Sequence, residues 1–310
     1  MGKKPMVIVI AGPTASGKTA LGIELAKRIN GEIISSDSMQ IYQDMNIGTA
    51  KPIKEEMQGI PHHLLDFVSP EERYSVANFK QDAQKTIEQI LIKGKTPIIV
   101  GGTGLYINSL IDGIDFPDIT IDESYRTELD KIAKKQGLEV LYKQAQQIDP
   151  EAMKQISPKD KKRICRVLEI YHQTGKTKTE QEKESRKKGV PYDYLVFAID
   201  MKRELLYDRI NRRVDKMIQQ GLIQEVKNLL RKYKTFPTAM QGLGYKEVVE
   251  YLIGNINKEE MIEKIKQETR RYAKRQLTWF RRNKQTIWLD GTKEIQNNVA
   301  IILEGIKERG

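Results

Sequence analysis

Short apolar runs alternate with helical patterns in the first hundred residues of the chain. The run Met6 to Ala11 is continuously apolar, which predicts a central parallel strand that is buried on both faces. Two further strands are predicted at Glu32 to Ser36 and at Thr96 to Val100. Between them, residues 19–29 and 79–93 carry apolar side chains at helical spacing. Strands that alternate with helices in this way favour a parallel α/β sheet flanked by helices.

The pattern changes after about residue 113. From Tyr125 to about Glu184 the sequence is polar, helical in its periodicity and without strand character, and strand character returns at Tyr194 to Ile199. Helices are then predicted at 203–220, 224–231, 244–253 and 258–282, and a last strand at 286–289. We therefore expect an all-helical insertion domain inside an α/β core, with bounds of 1–120 for the first part of the core, 121–192 for the insertion and 193–310 for the second part.

Composition narrows the class of protein. The 310 residues include a single cysteine, Cys165, so neither a disulfide framework nor a cysteine-rich zinc site is possible. That usage suits a reducing compartment, and we expect a cytoplasmic monomer. No secretory signal pattern and no apolar run long enough to cross a membrane is present, so we expect no membrane partner.

Charge is distributed unevenly along the chain. The net charge is +11, and residues 201–310 contain 24 basic and 14 acidic side chains, whereas residues 1–150 contain 17 and 20. A basic half beside a near-neutral half indicates a polyanionic partner on one side of the molecule. A lysine-rich surface that is simply solvated would give the same count, and charge alone does not separate the two.

A phosphate-binding loop follows the first predicted strand. The segment matches G-x-x-x-x-G-K-[ST] and lies between a strand and a helix, which is the context that this motif requires. Glycines let successive backbone N–H groups turn towards phosphate oxygens, Lys18 supplies a point charge, and the Thr19 hydroxyl can bind Mg²⁺. The loop consists of Gly12, Pro13, Thr14, Ala15, Ser16, Gly17, Lys18 and Thr19.

The phosphate compound is not identified by the loop itself. A kinase or NTPase would normally also have an apolar strand that ends in a metal-binding aspartate, but Thr96 to Val100 ends in glycines. Asp37 follows the second strand instead, at the edge where open α/β sheets bind ligands. It could serve as a general base, as a metal ligand or as a turn-capping residue.

An ordered set of further motifs resembles the tRNA dimethylallyltransferases of the bacterial type, also called tRNA isopentenyltransferases. The resemblance covers residues 6 to about 290 and is carried by the loop 12–19 and by the segments SDSMQIY (36–42), GTAKP (48–52), IPHHLLD (60–66), VGGTGLY (100–106), KRICRVLE (162–169), QGLGYKE (241–247) and RRYAKRQLTWF (270–280).

The resemblance implies a P-loop-kinase-like core and a defined reaction. Members of the family transfer a dimethylallyl group from dimethylallyl diphosphate to N6 of the adenosine just 3′ of the anticodon, and they use Mg²⁺. The loop would then hold the diphosphate of the prenyl donor rather than ATP. Thr14 is the loop hydroxyl that we expect at the departing oxygen. The resemblance places a second cation in the helix after the fourth strand, where Arg209 and Arg213 are candidates and Arg213 is preferred.

The acceptor chemistry fits the same residues. The exocyclic amine of adenine is a poor nucleophile, so a base that takes its proton would accelerate the reaction by roughly 10² to 10⁴ fold. Asp37 is the proposed base, and the adenine must be turned out of the anticodon stack to reach it. Further contacts with tRNA are predicted for the neighbours of Asp37, for the third strand, for the insertion and for the last long helix, namely Asp37 itself, Ser38, Met39, Gln40, Thr103, Lys162, Arg163, Arg166 and Arg275.

Three alternative functions remain open at this point. An adenylate isopentenyltransferase would modify free AMP, ADP or ATP, but it would need no basic RNA-binding half. A small-molecule kinase would use ATP, but the strand that should end in aspartate does not. A non-enzymatic RNA-binding protein would leave the phosphate loop beside Asp37 without a purpose.

Overall fold

Six parallel strands form the centre of the molecule. The structure is a computed structural model, and it describes residues 4–115, 122–187 and 189–309. The strand order is β3-β2-β4-β1-β5-β6, and every neighbouring pair is parallel. The predicted parallel α/β class is confirmed. The strands are β1 (Met6–Ala11), β2 (Gly31–Ser35), β3 (His62–His63), β4 (Thr96–Gly101), β5 (Asp193–Asp200) and β6 (Ile287–Asp290).

Helices connect most of the strands, and loops form the remainder of the chain that the structure describes. Those that had been predicted agree with the sequence pattern to within about three residues at each end. The helices are α1 (Lys18–Arg28), α2 (Lys54–Met57), α3 (Val76–Ile92), α4 (Gly104–Ile111), α5 (Glu123–Gln136), α6 (Leu138–Ile148), α7 (Pro150–Met153), α8 (Lys161–Thr174), α9 (Lys178–Lys187), α10 (Arg203–Gln219), α11 (Leu222–Lys232), α12 (Tyr245–Leu252), α13 (Lys258–Phe280) and α14 (Ile295–Arg309), with a 3₁₀ turn at Ala239–Gln241.

The chain divides into two compact units. Residues up to 107 and from 191 onward form the sheet unit, and residues 108–190 form the helical unit. Within its described residues the helical unit contains helices and no strand. It begins earlier than the predicted boundary at 121, because α4 already runs past residue 107.

Both faces of the sheet are buried, as the continuous apolar runs require. Ile8 and Ile10 of β1 pack with Leu25 of α1 and with Ile302 of α14 in one apolar cluster. Alternate residues of a strand point to opposite faces, so Val9 points away from this cluster, and it is equally buried. On the same sheet, α3 contacts β2 and β4. Hydrophobic burial on both faces therefore fixes the strands and the positions of their ends.

The helical unit is held by its own apolar cluster and by side-chain caps. Leu141, Ile164 and Leu168 belong to that cluster and are buried. Asp149 caps α7, where its Oδ1 accepts a hydrogen bond from the backbone N–H of Ala152 at 3.0 Å, and its carboxylate also accepts two bonds from Thr179. Asp149 and Pro150 thus form a helix start, with proline at the first helical position.

A buried carboxylate joins two lysines and a histidine at the amino end of the sheet. Glu32 of β2 is 1% exposed, and it accepts hydrogen bonds from Lys95 at 2.8 Å, from Lys93 at 3.2 Å and from His63 at 2.7 Å. Burial alone would raise the pKa of Glu32, but these three partners outweigh it and lower the pKa to about 2. His63 therefore has a structural partner, and its neighbour His62 bonds the carbonyl of Ile60.

We expect Glu32→Gln to lower the free energy of unfolding at pH 7 by about 2 to 4 kcal/mol, because the amide leaves the lysines without their shared carboxylate. A depressed folded-state pKa stabilises the protein above the ordinary value of 4.5, and this stabilisation is lost as the pH falls towards about 2. Urea denaturation from pH 7 to pH 3 should therefore show the difference between wild type and variant shrinking.

The exposed Glu55 on α2 provides the control, because Glu55→Gln should change the free energy of unfolding by about 0.5 kcal/mol at most. A difference between wild type and Glu32→Gln that stays constant with pH would contradict the role assigned to this carboxylate.

Candidate active site at the carboxyl edge of the sheet

The phosphate loop connects β1 to α1 and has the backbone that such a loop needs. Gly17 precedes α1 with a φ of 93°, in the left-handed region that favours glycine. Ala15 also has a positive φ, of 62°, which is uncommon for a residue with a Cβ atom and typical of functional loops. The helix begins at Lys18, so the positive end of its dipole faces the loop.

Three neighbouring strands bring their carboxyl ends to one cavity. β2, β4 and β1 lie side by side, and they are followed by Asp37, Gly102 and the phosphate loop respectively. The cavity has a volume of about 390 Å³. It is lined on these sides by Thr14, Lys18, Thr19, Asp37, Ser38, Met39, Gln40, Gly101 and Gly102, and from the later helices by Arg213, Tyr245, Tyr272, Arg275 and Gln276.

Two partly buried cations face this cavity. Burial lowers the pKa of Lys18 to about 7, the nearby Arg213 acts in the same direction, and Asp37 opposes it. Burial likewise lowers the pKa of Arg213, and the carboxylates of Asp37 and Glu56 oppose that shift. Lys18 Nζ donates a hydrogen bond to the carbonyl of Pro13 at 2.6 Å. The nearby carboxylates only partly compensate the two positive charges, and a polyanionic ligand would compensate them.

Of the two arginines that the sequence left open, the structure places one at the site. Arg213 lines the cavity, and its Nη2 lies 3.5 Å from the carbonyl of Thr49. Arg209 lies one turn earlier on α10 and is exposed. A spacing of four residues puts both on nearly the same face of α10, so the sequence could not separate them, and the answer depends on which turn of α10 lies at the cavity.

Asp37 caps the turn after β2 and also lines the cavity. Its Oδ1 accepts hydrogen bonds from the backbone N–H of Met39 at 2.9 Å and of Gln40 at 3.3 Å, which is a turn-capping arrangement. No described residue donates a hydrogen bond to Oδ2, and Asp37 lines the cavity. One oxygen thus fixes the side chain, and the other is available for chemistry.

Two hydroxyls and a phenol surround the same corner. The backbone N–H of Ser38 donates to Thr103 Oγ1 at 3.0 Å, and Thr103 Oγ1 donates to Ser38 Oγ at 3.3 Å. Burial raises the pKa of Tyr272 to about 12, and Asp37 acts in the same direction, while hydrogen bonds with Thr103 and Gln276 oppose it. Tyr272 therefore remains a neutral hydrogen-bonding group beside the carboxylate.

Three buried polar atoms without partners lie at the cavity or in the segments beside it. Within the described residues, Ser16 Oγ in the loop, Ser36 Oγ at the end of β2 and Arg213 Nε have no hydrogen-bond partner. An unsatisfied buried donor or acceptor costs about 1 to 3 kcal/mol, so native proteins rarely leave several together without a purpose. Their position at the phosphate loop indicates a ligand with several acceptor oxygens.

The described residues offer few protein ligands for a divalent metal at this site. In the part of the chain that the structure describes, no group of three or more His, Cys, Asp or Glu side chains could hold a metal ion. The cavity offers the Thr19 hydroxyl and the Asp37 carboxylate as oxygen donors. Mg²⁺ is commonly bound in this way, through one or two protein oxygens, waters and the phosphates of a substrate.

A carboxylate from α11 holds the loop that closes another side of the cavity. Glu225 accepts hydrogen bonds from the backbone N–H groups of residues 46–48 at 2.7 to 3.1 Å and from the Tyr245 hydroxyl at 2.7 Å. Burial and this carboxylate raise the pKa of Tyr245, so the phenol stays a donor. Gln40 Nε2 donates to the carbonyls of Thr49 and Ala50 at 3.2 and 3.3 Å.

The remaining residues that were predicted to contact tRNA lie on two helices in different units. Arg275 on α13 lines the cavity, and its guanidinium lies 5.6 Å from the ring centroid of Tyr272. Lys162, Arg163 and Arg166 lie on α8 of the helical unit. Arg163 pairs with Asp160 at 3.3 Å, Arg166 pairs with Glu169 at 3.5 Å, and Lys162 is exposed.

Sequence reasoning did not identify Gln276, Glu225 and Tyr245 as site residues. The signal for Gln276 was present, because it lies at the spacing of the buried Ala273 and Phe280 and is thus a polar side chain on an apolar stripe. Glu225 and Tyr245 gave no comparable signal, because their role depends on a loop about 180 residues earlier in the chain.

Comparison with known proteins finds matches along most of the chain. The family model described as IPP transferase matches residues 40–283. The chain is 52% identical over 288 residues to the tRNA dimethylallyltransferase of Carboxydothermus hydrogenoformans, covering 93% of each chain. It is 48% identical over 307 residues to that of Caldanaerobacter subterraneus subsp. tengcongensis, covering 96% of this chain and 98% of the relative.

Solved structures with the same arrangement are also known. The full-length tRNA isopentenylpyrophosphate transferase of Bacillus halodurans is 42% identical with a TM-score of 0.74, over 99% of this chain and 97% of its own. A eukaryotic dimethylallyltransferase acting on tRNA is 34% identical with a TM-score of 0.81, over 99% of this chain and 80% of its own. The parallel α/β fold is thus shared across the matched length, and the chain belongs to the IPP transferase family.

Proposed function

We propose that this enzyme transfers a dimethylallyl group from dimethylallyl diphosphate to N6 of the adenosine just 3′ of the anticodon in tRNA, releasing diphosphate. The observation that carries the proposal is that Lys18, Arg213 and Asp37 face one cavity, which joins two cations for a leaving diphosphate to one carboxylate for an acceptor. Relatives at 48 to 52% identity are named for this activity.

The donor half of the reaction uses the phosphate loop and the two cations. The allylic C–O bond breaks and its electron pair moves to the bridging oxygen of the diphosphate, so negative charge develops there. Lys18, Arg213 and the loop N–H groups stabilise that charge more in the transition state than in the ground state. Thr14 Oγ is the proposed hydrogen-bond donor to the departing oxygen.

The acceptor half uses the turn after β2. The lone pair of N6 forms the new C–N bond, and Asp37 Oδ2 takes the proton that N6 loses. Because Oδ1 is held by two backbone N–H groups, the carboxylate presents Oδ2 without reorganising. We propose that Ser38, Met39 and Gln40 contact the flipped adenosine and its neighbours, and that Thr103 supports them through Ser38.

A divalent cation completes the donor site. We propose Mg²⁺, held by the Thr19 hydroxyl and the phosphate oxygens of the substrate, with Asp37 within reach. When bound, it neutralises part of the diphosphate charge and makes the diphosphate a better leaving group. The loop and α1 then orient the phosphates relative to Thr14.

Basic side chains of each unit are the proposed contacts with tRNA. We propose that Arg275 contacts RNA at the cavity mouth and that Lys162, Arg163 and Arg166 bind phosphates of the anticodon arm. None of the helices in the described residues is long and apolar enough to cross a membrane. A cytoplasmic monomer that acts on tRNA remains our expectation.

The two alternative enzymes are disfavoured by specific residues. A kinase would need an aspartate at the end of an apolar strand, and β4 ends in Gly101 followed by Gly102. An enzyme for free AMP would have no use for basic side chains such as those of α8 and α13.

The proposed function predicts the outcome of a transfer assay with radiolabelled dimethylallyl diphosphate and Mg²⁺. Unmodified tRNA with adenosine 3′ of its anticodon and free AMP are offered separately, and we expect label on tRNA only. Label on AMP alone would assign the enzyme to the nucleotide prenyltransferases. No label on either, with consumption of ATP, would mean that the loop binds a nucleotide.

Asp37→Asn should lower kcat by roughly 10² to 10⁴ fold and leave the Kd for tRNA nearly unchanged. The amide oxygen can still accept the bonds from Met39 and Gln40, so the turn survives and only proton transfer is lost. Single-turnover transfer and tRNA binding by filter retention measure the two quantities separately.

The same variant distinguishes a base from a metal ligand. Loss of the acidic limb of the pH–rate profile indicates a base, whereas a raised Mg²⁺ concentration for half-maximal activity indicates a ligand. Asp208→Asn is the control, because Asp208 is exposed on α10 and pairs only with its helix neighbour Arg212. Activity of Asp37→Asn equal to that of this control would exclude both roles.

Diphosphate affinity should fall as the pH rises above about 7. The pKa of Lys18 is lowered to about 7 in the free protein, and a bound anion raises it again, so binding takes up a proton above that pH. Calorimetry with Mg²⁺-pyrophosphate at pH 6 to 9 should show an affinity loss approaching about tenfold per pH unit.

Lys18→Arg is the matched control, because a guanidinium stays charged throughout this range. Its affinity should depend on pH only through the titration of pyrophosphate itself, which both proteins share. Identical pH slopes for wild type and Lys18→Arg would contradict the lowered pKa as the source of the effect.

A further inference from the structure

One glutamine on the last long helix contacts two of the strand-end segments that form the cavity. Gln276 is 6% exposed on α13, a helix whose other polar side chains are mostly at the surface. Its Oε1 accepts a hydrogen bond from the backbone N–H of Thr14 at 3.0 Å, and its Nε2 donates to the carbonyl of Gly102 at 2.8 Å. Thr14 and Gly102 follow different strands, so one amide ties both to α13.

The orientation of this amide is fixed by its partners. A backbone N–H must face an acceptor and a carbonyl must face a donor, so a flipped amide would oppose like groups at both contacts. The close approach requires a glycine at 102, since a Cβ atom there would lie 2.2 Å from Gln276 Nε2. The glycine therefore permits the approach, and the glutamine is held in a single orientation.

The contact has a consequence for each substrate. On the donor side, the N–H of Thr14 is directed at Gln276 instead of at a phosphate, and this sets the position of the hydroxyl proposed for the departing oxygen. On the acceptor side, Gly102 precedes Thr103, whose hydroxyl accepts a hydrogen bond from the backbone N–H of Ser38 beside Asp37. The same amide thereby sets the distance between the leaving group and the base.

We infer that Gln276 is a positioning residue, whose amide aligns the phosphate loop with the turn that carries Thr103 and places Arg275 and Tyr272 of α13 at the cavity. The inference rests on the proposed prenyl transfer for its effect on rate. The effect of Gln276 on the affinity for diphosphate depends only on its contact with the phosphate loop, and not on which reaction the enzyme catalyses. Reactions that need two substrates held in register lose rate steeply when the groups that align them shift by about 1 Å.

Gln276→Glu tests this inference through pH. An ionised carboxylate can accept from Thr14 but cannot donate to the Gly102 carbonyl, and it adds negative charge beside the loop. A protonated carboxyl restores the missing donor at nearly the same position. Burial raises the pKa of such a carboxyl, so recovery should begin well above the ordinary glutamate range.

At pH 8 we expect Gln276→Glu to weaken binding of Mg²⁺-pyrophosphate at least tenfold and to lower kcat for transfer to tRNA by more than that. Both deficits, relative to wild type at each pH, should shrink as the pH is lowered towards 6. A side chain that only stabilised α13 would give a deficit without this recovery. Calorimetry and single-turnover transfer measure the two effects.

Gln267→Glu is the matched control, because Gln267 is exposed on the same helix and the substitution adds the same charge. Gly102→Ala is a second variant that displaces the amide without changing it, and it should weaken pyrophosphate binding at every pH. Thermal unfolding identifies variants that have lost the fold, and if one of the two variants does so, the other decides.

The outcomes separate this inference from the proposed function. Wild-type pyrophosphate affinity in folded Gln276→Glu and Gly102→Ala would overturn the role of the glutamine, whatever the transfer assay shows. A deficit in Gln276→Glu that does not change with pH would also overturn it. If wild type transfers no label to tRNA while the pH-dependent loss of pyrophosphate binding is found, the proposed reaction fails and the alignment of the loop stands.

Discussion

The site depends on a single topological constraint, namely that β2, β4 and β1 are adjacent and parallel. Parallel strands end at the same edge of a sheet, so three segments that are far apart in sequence meet at one place. The phosphate loop, Asp37 and Gly102 are all first or second neighbours of a strand end. Their relative positions are therefore as rigid as the apolar packing on the two faces of the sheet.

The charged side chains at this edge of the sheet favour the binding of an anionic ligand. Lys18 and Arg213 are both desolvated and repel each other, and Asp37 only partly offsets that repulsion. Such an arrangement is unfavourable until an anion with adjacent charged oxygens enters, and a diphosphate has that form. The hydroxyls of Ser16 in the loop and Ser36 after β2 have no hydrogen-bond partner among the described residues, so they add capacity to bind the oxygens of such a ligand. Preorganised polar groups of this kind favour departure of a charged leaving group.

The sequence allowed the sheet, the loop and Asp37 to be predicted, because each is encoded by neighbouring residues. Apolar runs define buried strands, and the glycine and lysine spacing defines the loop. β3 is a strand of only two residues, His62–His63, and is too short to leave a pattern. The C-terminal helix α14 was also missed, although Val299 and Ile302 are buried. The choice of Arg213 over Arg209 and the role of Gln276 required the packing of α10 and α13, which local patterns do not contain.

The bond between Thr14 and Gln276 joins residues 262 positions apart, and this separation has a consequence for synthesis. At about 5 to 20 residues per second, roughly 13 to 50 seconds pass between translation of the loop and translation of its glutamine. For the first part of that interval, until residue 200 has been translated, β1 also lacks its neighbour β5, so the emerging sheet has an open edge. The phosphate loop therefore cannot be aligned by Gln276 until nearly nine-tenths of the chain has been made. Contacts between residues so far apart in sequence slow folding.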